Sequence, residues 1–339
     1  MSVTFALICY NQEKFIREAI RGALAQDYEP LEILVSDDHS TDATFDIIQE
    51  EVAGYAGPHT IRLVRNTENI GFENFARTAE AAHGEFLVSA HGDDVSHPSR
   101  TRRLMEVWRA TNASLLSSNA EVIDAASHVL KPLTSQTEPK WIPAAEIAVR
   151  GYVSEADGAT LAWHRDVFGE FGRLDERRLR GAYDHVLPFR AGLLNGAYYV
   201  PWPLLQRRSH GANYGLESED RTRGNLVMKE TRSTHNLGAK ICMLEDLDYF
   251  RERNPCRTDL IAINEVLVAA ILNVARKANG ARNELFSQGL RPTWIDAAEM
   301  QQRAGYAKGH LGSSNTKQKA RRFSRVRRLA GILKQRILG

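Results

Sequence analysis

Cysteine is scarce in this sequence, and long apolar runs are missing. Three of the 339 residues are cysteine: Cys9, Cys242 and Cys256. So odd and sparse a set gives no disulfide framework, and no spacing among them fits a thiolate metal site. A reducing cytosol is the expected compartment. No apolar stretch approaches the roughly 18–20 residues of a membrane span. The start, MSVTFALICYNQE, has no basic n-region and no small-residue cleavage site, so it reads as a first strand and not as a signal peptide. The glycine-rich dinucleotide fingerprint GxGxxG is absent from the opening turn, and no internal repeat is present. With 43% hydrophobic residues, what remains is one large or two medium soluble domains with a real core.

A strong net charge is lacking as well, the total being +2. That balance hides an asymmetry. From Lys308 onward there is no Asp or Glu, but ten of the 44 basic residues. Residues 1–307 therefore hold 34 basic against 42 acidic side chains, a net charge of −8. An acidic body with a basic tail points to an anionic partner for the tail.

Strand and helix patterns alternate through the first third. Val3 to Tyr10 is apolar and β-rich, and Ile16, Ala19, Ile20, Ala23 and Leu24 follow at helical spacing up to a break at Pro30. Leu31 to Ser36 is a second strand ending in Asp37-Asp38. Ser40, Thr41 and Asp42 then offer caps for a second helix. Thr60 to Val64, Glu85 to Ala90 and Ser114 to Val122 read as further strands, with a helix carrying Phe72, Phe75, Ala76 and Ala79 and another begun by Pro98 between them. Such alternation predicts an α/β fold: a mostly parallel, Rossmann-like sheet flanked by helices. Ligands of open sheets bind beyond the carboxyl ends of the strands. Tyr10-Asn11, Asp37-Asp38 and Asp93-Asp94 all fall at those ends, so three clusters remote in sequence should share one rim.

After residue 123 the alternation stops. Lys131 to Pro143 holds three prolines and Trp141 and reads as a loop or lid. From about Glu217 the chain reads as mainly helical, with an apolar stripe of Leu260, Ile263, Leu267, Ala270, Ile271 and Val274. Gly305 to Ser314 reads as a linker.

The acidic pairs carry the chemistry. Adjacent carboxylates repel, the more so when partly buried, so Asp93 and Asp94 need positive charge nearby or full solvation. A carboxylate pair at a strand end fits a divalent cation, Mg²⁺ or Mn²⁺, shared with a diphosphate. His91 is either a further ligand or a donor behind the ligands. The plainer reading is a solvated turn capping the next helix. Asp38 has the reach of a nucleobase N–H or a ribose hydroxyl, against a simple capping role, and Tyr10 can stack on a base or serve as an ordinary strand-end aromatic.

The ordered set resembles a family 2 glycosyltransferase. ALICYNQEKFIREAIRGALAQDYEPLEILVSDDHSTDAT matches that family's opening, and NTENIGFENFARTAEAAHGEFLVSAHGDDV is similar to its Asn-x-Gly segment, Gly-Glu strand and acidic motif. The likeness covers roughly residues 3–110. It implies a GT-A type fold, with Tyr10, Asn11, Asp38 and Asp93 on the nucleotide of a sugar donor and Asp94 with Asp93 on a divalent metal. Many members carry a third Asp where this chain has His91, which with His210 is a candidate metal ligand. FGEFGRLDERRLRGAYDHVLPFRAG resembles the acceptor segment, where a helix carboxylate is the catalytic base. Asp184 is the matching residue. Asp175 and Glu176 are neighbouring alternatives, and a solvated carboxylate or a partner for Arg180 is the plainer reading. LLQRRSHGAN resembles the segment that closes this half, with Arg208 expected on the diphosphate; a basic surface loop is the alternative.

The implied divisions are a nucleotide-sugar half (1–123), an acceptor half of the same domain (124–215), a mainly helical C-terminal region (216–304), and a linker and basic tail (305–339). The implied reaction is metal-dependent transfer with inversion to a hydroxyl of a glycan or lipid-linked saccharide. In the tail, Phe323, Val326, Ala330, Leu333 and Ile337 recur at helical spacing among Arg and Lys. Such a helix can lie on an anionic membrane surface, which would place a cytoplasmic protein at the inner face; a solvated or partner-binding tail is the alternative. Other classes weighed are a non-catalytic nucleotide-sugar or glycan-binding protein, a sugar-nucleotide pyrophosphorylase, for which CYNQEKF is a poor phosphate loop, and a nucleic-acid-directed tail, which nothing in the body supports.

Overall fold

The computed structural model describes residues 2–153, 156–172, 183–210 and 223–287. The linker and basic tail lie outside these residues, as do Asp175, Glu176 and Arg180.

The five expected strands form as β1 (Val3–Cys9), β2 (Leu31–Asp37), β3 (Thr60–Arg65), β4 (Phe86–His91) and β6 (Leu115–Ile123), with the two-residue β5 (Val95–Ser96) before β6. Helices α1 (Ile16–Leu24), α2 (Thr44–Ala53), α3 (Glu73–Ala81) and α4 (Arg100–Thr111) alternate with them. β1, β2 and β4 are apolar runs buried along nearly their whole length, as parallel strands covered on both faces require.

The order across the sheet is β3-β2-β1-β4-β9-β6-β10-β5, where β9 is Leu161–His164 and β10 is Ala197–Arg208. β9 runs antiparallel between β4 and β6, which local alternation does not foretell. Its four residues LAWH are too short to stand out, but Trp163 is fully buried there and donates through Nε1 to Ser89 Oγ at 3.1 Å. The stretch expected as a loop or lid carries strands at either end. β7 (Val129–Pro132) pairs with β6, and β8 (Lys140–Ile142) pairs with β10.

One face of the sheet is covered by α1, α2 and α4, with Phe5, Leu7, Ile16, Ile20, Ile33, Ile48, Leu104 and Met105 in its core. The other carries α5 (Ala144–Arg150), the short α6 (Asp166–Gly169), α7 (Tyr183–Leu193), and the long α8 (Arg223–Arg253) and α9 (Asp259–Ser287). Leu260, Ile263, Leu267 and Ile271 of the expected stripe are buried there, beside Trp163, Val186, Phe189, Met243 and Leu247.

A buried ion pair joins α7 to α8. Arg190 donates through Nε and Nη2 to the Asp246 carboxylate at 2.7 and 3.3 Å, and through Nη1 to Gly172 O at 2.7 Å. Cutting one partner strands the other charge in the core. Asp246→Ala should therefore lower stability by about 3–5 kcal/mol, read as a lower urea midpoint, whereas the double change Arg190→Met with Asp246→Leu should recover most of it.

Candidate active site

Parallel register brings the strand ends together: Cys9 lies opposite Asp37, and Ile8 opposite His91. Two backbone bonds close the rim, Asp38 N to Cys9 O and Gly92 N to Ile8 O, each 2.9 Å. Gly92 is required by close approach. A Cβ there would stand 2.4 Å from Gln12 Oε1 and 2.7 Å from Cys9 Cβ, so any larger residue would push the acidic turn off the β1–α1 loop.

His91, Asp93 and Asp94 each offer one ligand atom, all within 4.8 Å of one another. Asp94 is buried, and Oδ1 accepts from the backbone N of Arg208 at 2.8 Å. Burial, reinforced by the charge of Asp93, pushes its pKa up to about 7. His91 opposes that rise, with Nδ1 3.9 Å from Asp94 Oδ2. A cation also sits behind the turn. Arg100, at the start of α4, is fully buried and donates to Ser96 Oγ at 2.9 Å, Ser89 O at 2.8 Å and Ala159 O at 2.5 Å. Burial pulls its pKa down to about 10, and Asp94 supports its charge. Sequence reasoning passed over Arg100, because an arginine opening a helix is by default a surface residue.

At the ends of β1 and β2, Tyr10 is 43% exposed at the rim. Asn11 takes a left-handed φ of 51° and bridges two loops: its N–H donates to Ser40 Oγ at 2.9 Å, and its Oδ1 accepts from Thr41 N at 2.8 Å. Gln12 N donates to Thr44 Oγ1 at 2.7 Å and Glu13 N to Asp42 Oδ2 at 3.1 Å. The polar run after β2 thus ties the β1 and β2 loops together. It supplies no side-chain cap at the Ala43 N-cap of α2, although Asp42 Oδ1 does accept from Thr44 N at 3.0 Å. Asp38 is buried, and its carboxylate accepts from Asn66 Nδ2, Ile70 N and Gly71 N at 2.8, 3.0 and 2.8 Å. It pins the Asn66–Gly71 loop to the rim.

Arg208 and His210 close the site from the end of β10. His210 Nε2 is 3.1 Å from Asp93 Oδ2, and its ring packs on Phe15 at 4.7 Å between centroids. Arg208, expected on a diphosphate, is engaged by the protein's own groups. It is fully buried and donates to Asp93 O at 2.9 Å, Asp124 O at 3.1 Å, Ser127 Oγ at 2.9 Å and Glu18 Oε2 at 2.9 Å, with Phe15 stacked 4.8 Å from its guanidinium carbon. It thereby ties the backbone of the acidic turn to the end of β10.

Asp184 lies in the first turn of α7 with its side chain 63% exposed. Pro188 carries no N–H, so the Asp184 carbonyl lacks the usual donor four residues on. Crowding by protein raises the carboxyl above its ordinary range, and His185, whose Nε2 is 3.8 Å from Oδ1, pulls it back. Asp157 acts electrostatically on both Asp94 and Asp184, which sets the acidic turn and the α7 carboxylate around one residue. Asp157 caps the 3-10 turn Gly158–Thr160 and pairs with Arg207 at 3.3 Å.

The donor set of two carboxylates and an imidazole fits a divalent cation. Because the Asp94 carboxyl is raised in the folded protein, the unfolded chain loses that proton first as pH rises. Stability should fall between about pH 4 and pH 7, by up to about 4 kcal/mol. Thermal unfolding across that range should show the fall, and either Asp94→Asn or millimolar Mn²⁺ should flatten it.

Comparisons with known proteins fit this geometry. A 14% identical structure, S. aureus TarS 1–349 in complex with UDP-GlcNAc, superposes with a TM-score of 0.54 over 84% of this chain and 83% of that one, so the fold is of GT-A type. An uncharacterized protein of Mycobacterium tuberculosis is 47% identical over 26% of this chain, which spans 25% of that protein's length. The succinoglycan biosynthesis protein ExoO of Rhizobium meliloti is 34% identical over 42% of this chain and 39% of its own length. Residues 4–169, which hold both acidic pairs, match Glycosyl transferase family 2, and through them this chain belongs to that family.

Proposed function

We propose that this protein transfers a sugar from a nucleoside diphosphate to a hydroxyl of a saccharide acceptor, with inversion at the anomeric carbon. The observation that carries the reading is the meeting of Asp93, Asp94, His91 and His210 at the carboxyl ends of parallel strands, with Asp184 beyond Asp157. The likeness to a succinoglycan biosynthesis protein supports a saccharide acceptor in cell-surface polysaccharide synthesis.

Tyr10 stacks on the base, and Asn11 and Asp38 shape the nucleoside rim. Asp38 reaches the nucleoside by exchanging part of its hold on the 66–71 loop. Asp93 and Asp94, with His91, would hold a divalent cation, Mn²⁺ or Mg²⁺. When bound, it neutralises the charge that grows on the leaving diphosphate. His210 stays on Asp93 or joins the ligands. Asp184, raised yet solvent-reached, takes the proton from the acceptor hydroxyl as its oxygen attacks the anomeric carbon in line. One base and one displacement give inversion. No helix of the described residues is long and apolar enough to cross a membrane. The basic tail favours a lipid-linked acceptor at an anionic leaflet.

Calorimetric titration with UDP, GDP, dTDP and CDP, each with Mn²⁺, Mg²⁺ or EDTA, tests the donor side. One nucleotide should bind only with metal, and Asp94→Asn should weaken it at least about tenfold. With the donor known, Asp184→Asn should cut transfer by about 10²–10⁴-fold while nucleotide affinity holds. Binding without any turnover, in wild type as in variant, would select a nucleotide-sugar-binding protein instead.

A further inference from the structure

Lys240 lies in the middle of α8, far along the chain from either acidic pair, yet it is only 3% exposed. Its ammonium donates to Ala148 O at 2.6 Å and Val149 O at 2.9 Å, two of the last carbonyls of α5. These carbonyls carry the negative end of the helix dipole, where a cation is favoured. α5 ends at Gly151, whose φ of +87° suits glycine, and whose N–H returns to Ile147 O at 2.7 Å. A Cβ on Gly151 would lie 3.1 Å from His185 Nδ1, so this edge of the ring lies beside the turn, in space that a larger residue would take up. The other edge faces Asp184, with Nε2 3.8 Å from Oδ1. The Tyr152 ring stands 6.4 Å away.

We propose that Lys240 and His185 are positioning residues for Asp184: the lysine clamps the end of α5, and the turn that follows holds His185 as a neutral ring against the carboxylate. This rests on Asp184 being the base. A protonated His185 would form an ion pair with Asp184 and weaken it as a proton acceptor. A neutral ring limits the carboxylate's rotation without neutralising it. Burial and the nearby Lys240 charge both disfavour protonation of His185, against the pull of Asp184. The charged groups acting on this pair, among the described residues, are Lys240 on α8 and Asp157 at the 3-10 turn. Lys240 is itself held down to about 8 by burial, so it stays charged through the neutral range and releases its clamp in mild alkali.

Histidine-selective ¹³Cε1 NMR on the full chain, with the His185 signal assigned by His185→Gln, reads this without any substrate. The His185 midpoint should lie below 6.5, its ordinary value. It should fall further, by about one pH unit, in Asp184→Asn. It should rise in Lys240→Met and return towards the wild-type value in Lys240→Arg, which a packing role alone would not produce. A wild-type midpoint at the ordinary value, or one that ignores Asp184→Asn, overturns the proposal while leaving Asp184 as the base. Asp184→Asn is exposed and keeps the comparison open should Lys240→Met fail to fold. An Asp184→Asn enzyme that still transfers sugar overturns the base, and this role with it.

Discussion

Two carboxylates on neighbouring residues, one of them buried, repel by about 4 kcal/mol at 4 Å in a medium of intermediate polarity. The surroundings of Asp93 and Asp94 are organised against that repulsion. Arg100 lies behind the turn, fixed by carbonyls of β4 and of the 3-10 turn. Arg208 grips its backbone from the end of β10 and anchors to α1 through Glu18. His91 and His210 face the carboxylates from in front. Both arginines are buried and bonded to backbone carbonyls. They hold the turn in shape, and a bound cation would complete the neutralisation they leave unfinished.

The loops that follow β1 and β2 are fixed in the same way. The β1 and β2 loops are stitched by reciprocal bonds between Asn11 to Glu13 and Ser40 to Thr44. Asp38 adds the 66–71 loop. Three loops from three strand ends are therefore tied to one another through side-chain bonds, which limits the ordering left for a ligand to impose.

Much of this was legible in the sequence. Apolar runs with intervening helical periodicity placed the first strands to within a residue or two, and the rule for open sheets put Tyr10, Asp38 and Asp94 on one rim. What was not legible is long-range and polar. Arg208 and Arg100 look like surface arginines in a linear reading, and only the fold shows that both are buried. Lys240 and His185 are separated by more than fifty residues and meet through α5, which neither belongs to. β9 is four residues long, and its place between β4 and β6 depends on pairings that no local pattern encodes. The hydroxyls and carboxylate after β2 were read as helix caps because that is their commonest local use; here they chiefly serve a neighbouring loop.

The position of β9 bears on how the chain assembles. β4 and β6 are next to each other among the principal strands in sequence but not in the sheet, since a strand from residues 161–164 lies between them. A nascent chain that has just emerged through β6 holds two unsatisfied strand edges that cannot close on each other in the native register. They must wait for some forty more residues before Leu161–His164 fills the gap. Until then β4 and β6 leave edges open to mispairing, of the kind that recruits chaperones or aggregates. The sheet that carries the acidic turn is therefore closed by a strand from the later part of the chain, and residues 1–123 do not complete it alone.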